Sequence, residues 1–230
     1  MNVGKQTESM QRCKNLPDVS IIVPYRNRPL HLQTWTRLVA DELPKSAEVI
    51  VVEQLDSLPF NRGCLLNIGF RHSTSRRSIF HDVDLVPTAD LMQLYCSEWP
   101  RPVVHFGCRF ARYNNTKTYF GGVTGFERHA FPGFPNCFWG WGGEDDVLYR
   151  RTRFSIHRPA FGHYTDLEFM PTVKQKLKCL RPGDKCPNRW ELKASDNQAR
   201  DNHVVVPDEI RFAQSLHKIN NLNIIKITFY

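Results

Sequence analysis

The seven cysteines of this 230-residue chain, at positions 13, 64, 96, 108, 137, 179 and 186, form no CxxC pair and no zinc-like spacing with histidines. No stretch approaches the roughly 18 uninterrupted apolar residues that a membrane-crossing helix needs, so no span is predicted. Residues 1–16 are polar, and no signal peptide or anchor is visible in them. Internal repeats, low-complexity tracts and recognised nucleic-acid motifs are also missing. The formal charge of +8 is therefore read as favouring acidic small ligands such as nucleotide phosphates, with no nucleic-acid partner expected.

What is present is a globular composition, 41% hydrophobic with 12% aromatics, in a length suited to one substantial core. The most informative stretch is residues 138–146, Phe-Trp-Gly-Trp-Gly-Gly-Glu-Asp-Asp. Gly140, Gly142 and Gly143 predict a bending loop that a ligand can approach closely. The flat faces of Trp139 and Trp141 suit the C–H side of a sugar ring, and the carboxylates of Glu144, Asp145 and Asp146 suit its hydroxyls, one of them as general base. A plainer reading places the same acids in the first turn of a helix running through Val147, Leu148 and Tyr149, with the tryptophans in the core. The two readings are compatible.

Taken in order, residues 19–23 predict a buried strand ended by Pro24, and Tyr25-Arg26-Asn27-Arg28 follows where open α/β sheets bind ligands. Leu32, Trp35, Leu38 and Leu43 predict a first helix over 29–43. A strand over 48–52 precedes a second helix capped by Asn61, with Arg62 at its N-terminus. Residues 78–80 lead into Asp82-Val83-Asp84, hard oxygen ligands suited to Mg²⁺ or Mn²⁺ on a diphosphate. A helix over 88–96, a strand over 102–106 and a strand over 117–123 follow. The last carries Tyr119-Phe120-Gly121-Gly122, with Tyr119 as wall of a sugar site or, alternatively, a core tyrosine beside a bulge. Residues 154–159 predict a short strand and turn, and His163 beyond them is a candidate metal ligand. Residues 174–198 read as an excursion near the acceptor, 208–218 as a helix and 223–229 as the closing strand. Cys179 and Cys186 bracket a turn that a disulfide could close, and Asn114-Asn115-Thr116 is a glycosylation sequon.

In sequence, Ile21 to Arg28, Phe60-Asn61-Arg62 with Leu65 to Phe70, Asp82 to Pro87, Tyr119 to Val123 and Trp139 to Asp146 resemble the β-1,4-galactosyltransferase family, glycosyltransferase family 7. The Thr-Tyr before the paired glycines is similar to the branch that galactosylates xylose. The resemblance implies an α/β fold: a single GT-A, Rossmann-like nucleotide-sugar-binding domain over 19–230, with a mixed, mostly parallel sheet flanked by helices. Residues 1–18 would be a polar lead-in, 19–100 the nucleotide and metal half, and 101–230 the acceptor half. It implies an inverting, Mn²⁺-dependent transfer from UDP-galactose to a glycan or glycoside ending in xylose, GlcNAc or glucose, in the Golgi or secretory lumen. The alternatives are a UDP-GalNAc or UDP-GlcNAc transferase and an inactive carbohydrate-binding homologue.

Residue by residue, the resemblance assigns the nucleotide sugar to Pro24, Tyr25, Arg26, Arg28, Phe60, Arg62, Asp82, Val83, Tyr119, Trp141 and Gly143. It assigns the acceptor to Trp141, Glu144, Asp145 and Asp146, the catalytic base to Asp145, and the metal to Asp84, to which the residue chemistry above adds His163. The chain departs from the family where a His-x-His pattern reads His163-Tyr164-Thr165, and 174–198 has no counterpart.

Overall fold

The computed structural model describes residues 18–113, 116, 118–181, 183–187, 190–191, 211–219 and 221–230. The first half runs β1 (Val19–Tyr25), α1 (Pro29–Leu38), β2 (Ala47–Gln54), α2 (Arg62–His72), β3 (Arg77–His81) and β4 (Leu85–Pro87). It continues through α3 (Ala89–Cys96), β5 (Val103–Val104) and β6 (Val123–Glu127). The second half adds α4 (Glu144–Arg151), β7 (Ile156–His157), β8 (Tyr164–Asp166), α5 (Val173–Cys179), β9 (Phe212–Ile219) and β10 (Leu222–Phe229). One sheet holds strands in the order β7-β5-β6-β3-β1-β2-β10-β9, and β4 pairs with β8 separately. β1 lies parallel to β2 and β3, and β10 parallel to β2, while β6 and β9 enter antiparallel.

β1 is central and buried along its whole length, which is why it is apolar on both faces apart from Ser20, whose hydroxyl is hydrogen-bonded to Glu48 and Ser75. Its side chains alternate between two cores. Ile21 and Val23 face the cluster containing Trp35 of α1, whereas Ile22 faces the cluster built on Leu65 and Leu66 of α2. Pro24 costs little because the ladder to β3 ends at Ile22, two residues earlier. Asn61 caps α2 by accepting from Cys64 N at 3.0 Å, and Gly69 packs against Ile22 where any side chain would overlap.

The mixed, mostly parallel sheet flanked by helices matches the expected fold class. Three local expectations fail. Residues 212–219 form β9, an exposed edge strand paired with β10 through Phe212↔Phe229, and not a helix. With no buried stripe to hold a helix, the backbone ladder decides the conformation. Residues 119–122 are loop, and the strand begins at Val123. The Cys179 thiol is free, so no disulfide joins it to Cys186. Asn114 and Asn115 of the sequon lie outside the described residues.

Candidate active site

The C-terminal ends of β1 and β3 and the N-termini of α2 and α4 open onto one cavity, the position that open α/β sheets give their ligands. Pro24, Arg26, Arg28, Phe60, Arg62, Asp82, Val83, Asp84, Tyr119, Trp141, Glu144 and Asp145 all line it. Tyr25 does not; it is buried, its hydroxyl accepting from Arg28 N at 3.2 Å. Asp146 sits on the exposed side of the first turn of α4. Trp139 packs edge-on against Phe229, at 5.2 Å and 80°, so Trp141 is the indole of the pair that faces the cavity.

Gly140, Gly142 and Gly143 have φ of +95°, +103° and +114°. Gly143 is the N-cap of α4, and a Cβ there would overlap the Phe138 ring. The bend turns the chain so that Glu144 and Asp145 begin a helix and face the cavity at once, where the positive end of the helix favours them. Asp145 is held on its other side by Gly121, since a Cβ at that position would overlap Asp145 Oδ2. Tyr119 is fixed against the Tyr113 ring, with centroids 3.8 Å apart and planes 11° off parallel.

Arg62 is the hub of the acidic end. Its Nε donates to Asp82 at 2.8 Å and its Nη1 to Asp145 at 2.8 Å, with Glu144 at 3.6 Å. Burial pulls the guanidinium down, but Asp145, Asp82 and Glu144 outweigh it and raise its pKa well above the ordinary value. Burial raises Asp145 well above the usual carboxylate range; Arg62 opposes this, and Glu144, Asp82 and Asp146 add to it. The Asp145 side chain keeps 27% of its surface exposed, on the cavity it lines. Among the described residues Glu144 Oε2 is buried without a hydrogen-bond partner, an acceptor aimed at nothing in the protein.

A second part of the lining is basic, and of its four cations only Arg26 and Arg28 were foreseen. Arg112 and Lys176 line it with Arg26 and Arg28, and the guanidinium of Arg26 lies 5.2 Å above the Phe60 ring. Behind them Asp84, Asp166 and Glu168 each bring an oxygen within 4.8 Å of the others, a set able to hold a metal ion. Burial, then Asp82 and Glu168, push the Asp84 carboxyl up to about 6 against Arg28 and Lys176. His163 is not in this group. Its backbone pairs with Thr88 at the start of α3. The sequence did hold a signal for the carboxylates: Asp166-x-Glu168 repeats the spacing of Asp82-x-Asp84. Nothing comparable marked Arg112 or Lys176.

Two family models match in tandem. That for the N-terminal region of glycosyl transferase group 7 covers residues 2–97, and that for the N-terminal domain of galactosyltransferase covers 101–169. Rattus norvegicus β-1,4-galactosyltransferase 6 is 38% identical over 175 residues, 68% of this chain and 45% of the relative. Human β-1,4-galactosyltransferase 4 is 40% identical over 174 residues, 67% of this chain and 49% of the relative. The chain thus spans less than half the length of the curated relatives it matches. Among solved structures, the catalytic domain of Drosophila β1,4-galactosyltransferase 7 in complex with xylobiose superposes with a TM-score of 0.70 at 23% identity. That match covers 92% of this chain and 94% of the other. A mutant of the fly enzyme in complex with manganese, UDP-Gal and xylobiose gives 0.67 at 22% identity over the same shares. These likenesses establish the fold as GT-A.

Proposed function

Because the chain belongs to the group 7 glycosyltransferases, we propose that it moves galactose from UDP-galactose to a sugar hydroxyl in one inverting displacement. The observation that carries this reading is the convergence of Asp145 and Asp84 on one cavity. The basic end, with Arg26 over Phe60 and Arg28 beside Asp84, suits a nucleoside diphosphate. The acidic end, with Asp145, the unpartnered Glu144 Oε2 and the Trp141 face, suits an acceptor sugar.

Asp145 takes the proton of the acceptor hydroxyl as that oxygen attacks the anomeric carbon, and UDP departs toward the basic end. A single displacement leaves the new bond β. Arg62 favours the ionised form of Asp145 against burial and orients it through the 2.8 Å hydrogen bond. Gly121 leaves the room for that carboxylate, and Tyr119 walls the donor sugar.

Mn²⁺, named with UDP-Gal in the complex of the fly enzyme's mutant, fits the donor set here. Asp84, the member of that carboxylate group on the cavity wall, would hold it, whereas Asp166 and Glu168 lie off the cavity, paired with Arg112, Arg28 and Lys176. When bound, it supplies positive charge that offsets the diphosphate as the leaving group forms. His163 is no part of that proposal.

The test is transfer from a panel of UDP-sugars to β-xylosides, β-GlcNAc and β-glucosides, with the anomeric configuration of the product read by NMR. Galactose transfer with β product is expected. Transfer from UDP-GalNAc or UDP-GlcNAc in preference would overturn the donor assignment, and an α product would overturn the single displacement.

A further inference from the structure

Glu168, between β8 and α5, is gripped by three cations from three separate parts of the chain. Lys176 Nζ lies 2.5 Å and 2.7 Å from its two oxygens, Arg28 Nη1 3.0 Å from Oε1, and Arg112 Nη2 2.9 Å from Oε2. Only 6% of the Glu168 side chain is exposed, and 9% of the Lys176 side chain. Glu168 itself does not line the cavity, whereas all three cations do. The carboxylate therefore stands behind the wall and draws like charges together in front of it. Three positive groups sharing one small surface would otherwise repel and spread. A group that gathers cations on a cavity wall while staying out of the cavity prepares that wall for an anion.

The geometry points to Lys176 and Arg112 as diphosphate-binding residues, held in place with Arg28 by Glu168 as a positioning residue, so that part of the diphosphate charge is met by the protein itself. This rests on the nucleotide-sugar reading above and adds to it two contacts and a consequence: the nucleotide retains affinity when no divalent ion is present. A diphosphate offers the cations new acceptors without displacing them from the wall, and α5 brings Lys176 there from a segment that no family motif covers. The helix is fixed by the capping box of Thr172 and Gln175 and does not depend on the ligand for its register.

Calorimetry of the full chain with UDP and with uridine, each in Mn²⁺ and in EDTA, tests this. The unaltered chain should bind UDP in both media, more tightly with Mn²⁺. Lys176→Met should weaken UDP about tenfold or more in both, the loss of one charge-assisted contact, and leave uridine unchanged. Lys176→Arg should restore most of the UDP affinity. A merely structural role for Lys176 would lower UDP and uridine affinity alike, and that result overturns the inference. UDP binding that Lys176→Met leaves intact, or that vanishes entirely in EDTA, overturns it too, with the transferase reading untouched. Failure of the unaltered chain to bind UDP even with Mn²⁺ removes both.

Discussion

Asp145→Asn keeps the shape of the acidic end and removes the base proposed for it. The amide oxygen of the substituted side chain still accepts from Arg62 Nη1, which approaches Asp145 at 2.8 Å, while Asp82 keeps its own 2.8 Å bond to Nε. What is lost is the proton acceptor. General-base catalysis contributes about 10²–10⁴ in rate, or about 3–5 kcal/mol at the transition state. Turnover should fall by that factor. UDP affinity should change little, because the cations assigned to the diphosphate pair with Asp84, Asp166 and Glu168, whereas Asp145 pairs with Arg62. The pH profile makes the assignment sharper. The Asp145 carboxyl is raised by burial and by Glu144 and Asp82, against Arg62. A base works only when ionised, so activity should be lost as pH falls through that raised value, at a pH above the ordinary carboxylate range. Asp145→Asn should erase this acidic limb. Initial rates with UDP-galactose and a β-xyloside across pH give both quantities. A variant within about tenfold of the unaltered rate, or one that keeps the acidic limb, would refute the role of Asp145 as base.

Gly121→Ala places a Cβ against Asp145 Oδ2 and should cut kcat while leaving UDP binding within about twofold, measured by rates and calorimetry side by side. Gly69→Ala should instead destabilise by about 1–3 kcal/mol in urea melts, through overlap with Ile22, and leave the rate per folded molecule unchanged. Glu168→Gln strips a shared partner from Arg28, Arg112 and Lys176 and should cost about 3–5 kcal/mol near neutral pH. Since the folded carboxyl is lowered from 4.5 to about 2, its stabilisation is complete above the unfolded value and fades as pH falls through the folded one. The gap between the two proteins in urea melts should therefore be full above about pH 4.5 and close toward pH 2.

Sequence pattern revealed what depends on local chemistry. β1 was visible as an apolar run because both its faces are buried, and α2 because Asn61 caps it ahead of Leu65 and Leu66. The glycines of the 140–143 bend and the acids after it were visible because positive φ and a helix N-terminus demand those residue types. β9 was not, since an exposed edge strand carries neither alternation nor a buried stripe and owes its form to β10. Arg112 and Lys176, and their pairing with Glu168, were invisible for another reason. Their meaning lies in meeting each other across 56 and 8 residues of chain, and a charged residue that will be buried by a partner looks the same in sequence as one that stays in solvent.

The two ends of the cavity are built on opposite plans, and the contrast bears on Arg62. Three carboxylates surround that arginine, and two of them hold it at 2.8 Å. Its positive charge is spent on neighbours, and a diphosphate would have to compete with Asp82 and Asp145 for the same donors. Arg28, by contrast, belongs to a balanced set in which three cations, Arg28, Arg112 and Lys176, meet three carboxylates, Asp84, Asp166 and Glu168, so it is less outnumbered than Arg62. On this reading Arg62, which the family resemblance assigns to the nucleotide, acts chiefly on the base. Burial and like charge both push Asp145 toward its neutral, inactive form, and Arg62 is the largest influence against them. Arg62→Gln should then move the acidic limb of the rate profile to higher pH while costing UDP less affinity than Lys176→Met does. An Arg62→Gln variant that loses UDP affinity more than the lysine variant, with its acidic limb unmoved, would return the arginine to the nucleotide.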